Sequence, residues 1–146
     1  MSTPVDTAPP AWAGYTNWPE TLQAVPPGSE IGRLWGEASN NGRAAREKRS
    51  EAARLSRDAD AFDGVIQQAT PATPWEEIGR AQAMAPVYRR AAARLIADAE
   101  PLEAEAAGIM QSVDRLWAEY LAALGKWRKS PTAENTAWLA RYVWPQ

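Results

Sequence analysis

Cysteine and histidine are both missing from these 146 residues. Without cysteine there is no disulfide framework, no thiolate nucleophile and no sulfur ligand for zinc. Without histidine the commonest general base and metal ligand is gone. The Glu-x-x-His pair of di-iron helical bundles cannot be built either. No Gly-rich phosphate loop and no Gly-x-Ser-x-Gly elbow occurs. The carboxylate groups Glu76–Glu77 and Glu100–Glu103 read as a helix start and a solvated stripe. The expectation is a non-enzyme that uses no cofactor, binds no metal and takes no small-molecule substrate.

Long apolar runs are lacking too. Nothing approaches the ~18 consecutive apolar residues of a membrane span. Met1-Ser-Thr-Pro-Val-Asp-Thr-Ala-Pro-Pro has neither the basic nor the apolar region of a secretory leader. A soluble protein is expected, cytoplasmic or virion-associated, with no membrane partner. Charge of one sign is not in excess: 16 basic against 18 acidic residues leave a net charge of −2. That excludes a globally basic nucleic-acid binder, though not a local basic patch.

What the chain does contain is helical periodicity. Stepping alternately three and four residues from Ile78 gives Ala81, Ala85, Tyr88, Ala92, Leu95, Ala99, Leu102, Ala106, Ile109, Val113, Leu116, Tyr120, Ala123 and Trp127. Every one is apolar or aromatic. That is the seam of a long helix packed along its length against another helix. The same stepping from Ile31 gives Leu34, Ala38, Asn41, Ala45, Lys48, Ala52, Leu55, Ala59, Phe62, Ile66 and Ala69, with Asn41 and Lys48 as polar exceptions. Thirty residues are alanine, so the seam permits close approach but supplies little burial per contact.

Six of the twelve prolines fall in residues 1–28, which excludes a continuous helix there. Trp12, Tyr15, Trp18, Leu22 and Val25 make the same stretch too apolar for a solvated linker. An extended Pro/Trp-rich arm is expected, lying on its own helices or reaching a neighbouring subunit. Ser29 caps a first helix over about 30–69, where Asn40-Asn41-Gly42 is a place to kink. Thr70-Pro71-Ala72-Thr73-Pro74 forces a reversal, with Thr73, Pro74 and Glu76 read as a capping box. A second helix over about 74–129 contains Pro86 and Pro101, read as kinks because the seam keeps phase through both. A short C-terminal helix follows over about 131–143. The fold class is therefore all-α: a long kinked antiparallel hairpin, coiled-coil-like, with an extended N-terminal arm and a C-terminal helix.

An antiparallel hairpin centred on its turn brings Leu55 near Tyr88, Phe62 near Ala81 and Leu34 near Ile109. Its middle then collects Arg43, Arg46, Lys48, Arg49, Arg54 and Arg57 from one helix and Arg89, Arg90 and Arg94 from the other. Glu47 and Glu51 are the acids read among them. From Asp98 onward the balance reverses, with Glu100, Glu103, Glu105, Asp114 and Glu119 set against Arg115. Such polarity suits oriented contact with neighbours, or a basic face laid on nucleic acid.

The open end gathers Trp12, Trp18, Trp35, Trp117, Trp127, Trp138 and Trp144, with Tyr15 among them. These aromatics serve either as a Trp-rich mini-core or as a partner-binding surface built on hot-spot residue types. The functional expectation is a structural or adaptor subunit that binds other protein subunits, its own copies or different ones. A bacteriophage virion or tail component fits the size and shape. The alternative is a nucleic-acid-binding accessory factor using the basic middle.

Overall fold

The computed structural model describes residues 11–145; the first ten residues of the arm lie outside this range. A 3-10 turn, Leu22–Ala24, precedes three helices: α1 (Glu30–Gln67), α2 (Trp75–Lys129) and α3 (Ala133–Val143). Among the described residues there is no strand. The fold is all-α, with the two long helices packed on each other as a hairpin. The expected bounds agree to within about two residues at each end, because Ser29, the Thr-Pro turn and the Ser130-Pro131 break act locally.

Both seams face inward. All fifteen α2 positions from Ile78 to Trp127 are buried or half-buried. Of the twelve α1 positions, only Ala69, beyond the last helical residue, is exposed. Asn41 and Lys48 keep their places in the stripe, half-buried. Asn40-Asn41-Gly42 does not interrupt α1, and α2 runs unbroken through Pro86 and Pro101. Both prolines are exposed, as are Gln82 and Ala97, whose carbonyls lose their helical partner. Water can bond those carbonyls, which lowers the cost of an internal proline.

The described residues form two compact units. One joins residues 11–38 to residues 107–145. The other is Ser39–Ala106.

The first unit holds the aromatic core. Trp18, Val25, Ile31, Val113, Leu116, Tyr120, Leu124, Leu139 and Val143 are buried together. Residues 11–28 are therefore an integral layer of this unit. Gly14, at φ +80°, turns the chain after Trp12, where the Tyr15 amide bonds the Trp12 carbonyl at 3.1 Å. The Tyr120 hydroxyl donates to the Pro19 carbonyl at 2.6 Å, and Arg128 pairs with Glu20. Thr132 caps α3 by accepting the Asn135 amide.

The second unit is a two-helix layer with a different interior. Its fully buried residues are Ala45, Ala52, Ala59, Ala81, Ala85, Ala92 and Ala99, alanines without exception. Phe62 meets Tyr88 edge-on with ring centroids 5.5 Å apart. Arg49 bonds Glu103 through two nitrogens, and Arg89 pairs with Asp60 and Asp63. These pairs place the helices one heptad away from the register expected above, in which Phe62 sat near Ala81 and Leu55 near Tyr88. A 3–4 seam matches itself again after every seven residues. Moreover, the seven-residue loop 68–74 has reach to spare for a slip of about 10 Å, two helical turns. In the observed register Ala59, Ala52 and Ala45 fall level with Ala92, Ala99 and Ala106, so small residue meets small residue.

The expected capping box is also corrected. Thr73 Oγ1 accepts the amide of Thr70 at 2.9 Å, closing the turn. The α2 start is bonded instead by the Pro74 carbonyl, which accepts from Glu77 and Ile78.

Candidate functional site

The aromatic residues singled out above separate by burial. Trp18 is 5% exposed and belongs to the core. Trp12, Trp35, Trp117, Trp127 and Trp144 are half-buried against that core. Trp18 stands edge-on to Tyr15 at 5.0 Å, to Trp127 at 6.4 Å and to Trp144 at 6.3 Å. Trp117 packs on Tyr120 at 5.1 Å, and the Trp127 indole donates to Thr136 Oγ1 at 3.0 Å. Rings so engaged hold the unit together. Trp18 is thereby withdrawn from the candidate docking residues, because an indole only 5% exposed offers little partner-facing surface.

Two members remain accessible, Tyr15 at 36% and Trp138 at 46% exposure. The Arg141 guanidinium lies 5.3 Å over the Trp138 ring. Trp and Arg side by side on a helix exterior are the residue types that dominate measured interfaces. They lie one turn apart on α3, whose opposite side, through Leu139 and Val143, is in the core.

A cavity of about 430 Å³ opens in this unit beside Tyr15, Trp18, Pro26, Trp127 and Trp144. Besides Tyr15, its titratable side chains are Glu20 and Arg128, and those two are paired with each other. No free acid–base pair lines it. Among the described residues no group of three or more acidic side chains is placed to hold a metal ion.

In this core, where Tyr142 is buried as well, Tyr120 is fully buried. Burial pushes its phenol well above the ordinary tyrosine range. A raised folded value means that its stabilising contribution is complete below the unfolded tyrosine value of about 10 and is lost as pH rises beyond it. Tyr120→Phe also leaves the Pro19 carbonyl without its donor, at a cost of about 1–3 kcal/mol. Urea unfolding of the variant at pH 8 should show that loss. Between pH 9 and 11 the wild type should lose stability faster than the variant; equal slopes would remove Tyr120 as the cause. Tyr142, shifted upward by burial as well, leaves the variant some residual slope.

The basic middle is more balanced than expected. Arg49 is bonded to Glu103, Arg54 to Glu51 and Asp58, and Arg89 to Asp60 and Asp63. The Arg49 hydrogen bond holds the Glu103 carboxyl below the usual carboxylate range. Asp58, Asp60 and Asp63 are the acids that the comparison with Glu47 and Glu51 alone left out. Among the described residues Arg43, Arg46, Lys48, Arg57, Arg90 and Arg94 make no ion pair. They do not form one band: Arg43, Arg46 and Arg57 are exposed along α1, Lys48 lies half-buried in its apolar stripe, and Arg90 and Arg94 flank a depression beside Leu95 on α2.

No known protein family, curated protein or solved structure matches this chain.

Proposed function

We propose that the protein is a non-catalytic structural subunit of a larger protein assembly. One observation carries this reading: every fully buried residue of Ser39–Ala106 is an alanine, while Leu55, Phe62, Tyr88, Leu95 and Leu102 are only partly buried. An alanine interior supplies little of the ~25 cal/mol per Å² that apolar burial provides. Units of this size without a sufficient core usually complete one with a partner. Trp138 with Arg141 offers a second contact, toward a neighbouring subunit. The bacteriophage virion or tail setting rests on size and composition.

Nucleic-acid binding through the basic middle is disfavoured by the ion pairs that occupy three of its nine cations. Light scattering of the intact chain, free of nucleic acid, separates the two readings. A mass above the 16.0 kDa of one chain is expected. A strict monomer that binds duplex DNA with a steep inverse dependence on salt would replace the assembly reading with the alternative.

A further inference from the structure

The hairpin Ser39–Ala106 has two unlike faces. On one, Arg49–Glu103 and Arg89–Asp63 bridge α1 to α2 and cover the alanine seam. On the other, no ion pair joins α1 to α2 among the described residues. That second face carries the large side chains Leu55, Phe62, Tyr88, Leu95 and Leu102, all half-buried. Val65, Met84 and Ala91 widen it, each also half-covered, and Val87 at its α2 edge is 44% exposed. A shallow depression beside Leu95 is lined by Val87, Arg90, Ala91, Arg94 and Asp98.

The borders of this face carry opposite charges in matched positions. Along α1 run Glu51, Arg54 and Asp58; along α2 run Arg94 and Asp98. The register set by Phe62 and Tyr88 puts Arg94 level with the stretch between Arg54 and Asp58. Asp98 comes level with the stretch between Glu51 and Arg54. Arg94 and Asp98 make no ion pair among the described residues.

We propose that a second copy of this chain docks on that face. The two hairpins stack about a two-fold axis parallel to the helices, so that α1 of each lies over α2 of the other in a four-helix bundle. This rests on the assembly reading and names its partner. The axis follows from charge. Over the partner's α2, Asp58 meets Arg94 and Arg54 meets Asp98, twice by symmetry. Stacking α1 on its own copy would set a border of three acids, Glu47, Glu51 and Asp58, and one cation, Arg54, against itself, where the excess of like charge opposes contact. The half-covered Leu, Phe and Tyr side chains then become the bundle core that the alanine seam does not provide.

The test uses the intact chain and two exposed-site variants, Asp58→Arg and Arg94→Asp, each checked for retained helicity by circular dichroism. Wild type should scatter as a species of about twice 16.0 kDa. Each variant alone puts like charges at the two Asp58–Arg94 contacts, leaving the two Arg54–Asp98 contacts in place, and should weaken the dimer on the order of tenfold. In an equimolar mixture of the two variants, one contact of the mixed dimer has its charges exchanged and the other keeps the wild-type pair. Opposite charges then face each other at both contacts, so the dimer should return. That recovery cannot arise within one chain. A mass above monomer that ignores both variants, or a mixture that does not recover, overturns this face while leaving the assembly reading in place. A monomeric wild type across the concentration range also overturns this face and confines the assembly reading to a partner of different sequence.

Discussion

Trp18→Ala is expected to cost about 3–5 kcal/mol, the range for emptying a buried aromatic site. Globular domains have about 5–15 kcal/mol in total, so the unit built from residues 11–38 and 107–145 should be close to unfolding at 37 °C. The size of the effect follows from position. Trp18 lies 5% exposed at the junction of residues 11–28, α2 and the chain end after α3. It is in edge-on contact with Tyr15, Trp127 and Trp144, and such pairs add about 0.5–1.5 kcal/mol each beyond area burial. A control separates packing from polarity. The Trp18 indole N–H is buried without a partner, a cost that phenylalanine avoids. Trp18→Phe removes that group and leaves a much smaller void than alanine, so it should cost clearly less than Trp18→Ala. Urea titration followed by near-ultraviolet circular dichroism reads both. An unchanged midpoint for Trp18→Ala would mean that residues 11–28 do not lie on the helices in solution.

Much of this fold is written locally, and that part is legible in the chain. Ser29, the Thr-Pro reversal and the unbroken 3–4 stripes locate three helices, because capping, proline geometry and apolar period each act within a few residues. Pairing between helices is another matter. A stripe that repeats every seven residues is compatible with several registers, and the choice between them came from Phe62 meeting Tyr88 and Arg49 meeting Glu103. The same ambiguity hid the acids that neutralise the basic middle. Asp60 and Asp63 are far from Arg89 in sequence and reach it only once the hairpin closes in this register.

The clustering of tryptophans at one end followed from counting along two antiparallel helices. Their division into core and surface did not. Trp18 and Trp138 are the same residue type, and tertiary packing makes one buried and the other 46% exposed. Tyr120 carried a signal that could have been found, a tyrosine in an otherwise aliphatic seam stretch, since a buried hydroxyl needs an acceptor.

Glycine within a helix ordinarily costs about 1 kcal/mol against alanine, and by that rule Gly32 and Gly36, one turn apart in α1, should respond alike. They are expected to respond with opposite sign. A Cβ on Gly32 would sit 2.0 Å from the Pro26 carbonyl oxygen and 2.8 Å from its carbon. Both are backbone atoms, and they are held in place by the helix cap itself. Ser29 Oγ donates to that same Pro26 oxygen at 2.7 Å and accepts the Gly32 amide at 3.1 Å. Ser29 is fully buried, so the loop cannot yield without breaking both bonds. Overpacking of this kind costs about 1–3 kcal/mol, and loss of the cap adds about 1 kcal/mol. These outweigh the propensity gain, leaving Gly32→Ala destabilising by roughly 1–3 kcal/mol. At Gly36 a Cβ meets nothing within 4 Å, so Gly36→Ala should stabilise by up to about 1 kcal/mol through the backbone entropy of the unfolded chain. Thermal unfolding of the two single variants should move the melting temperature in opposite directions. Two shifts of the same sign would mean that Pro26 does not pack over the first turn of α1, and the cap that fixes the entry of residues 11–28 into the core would have to be redrawn.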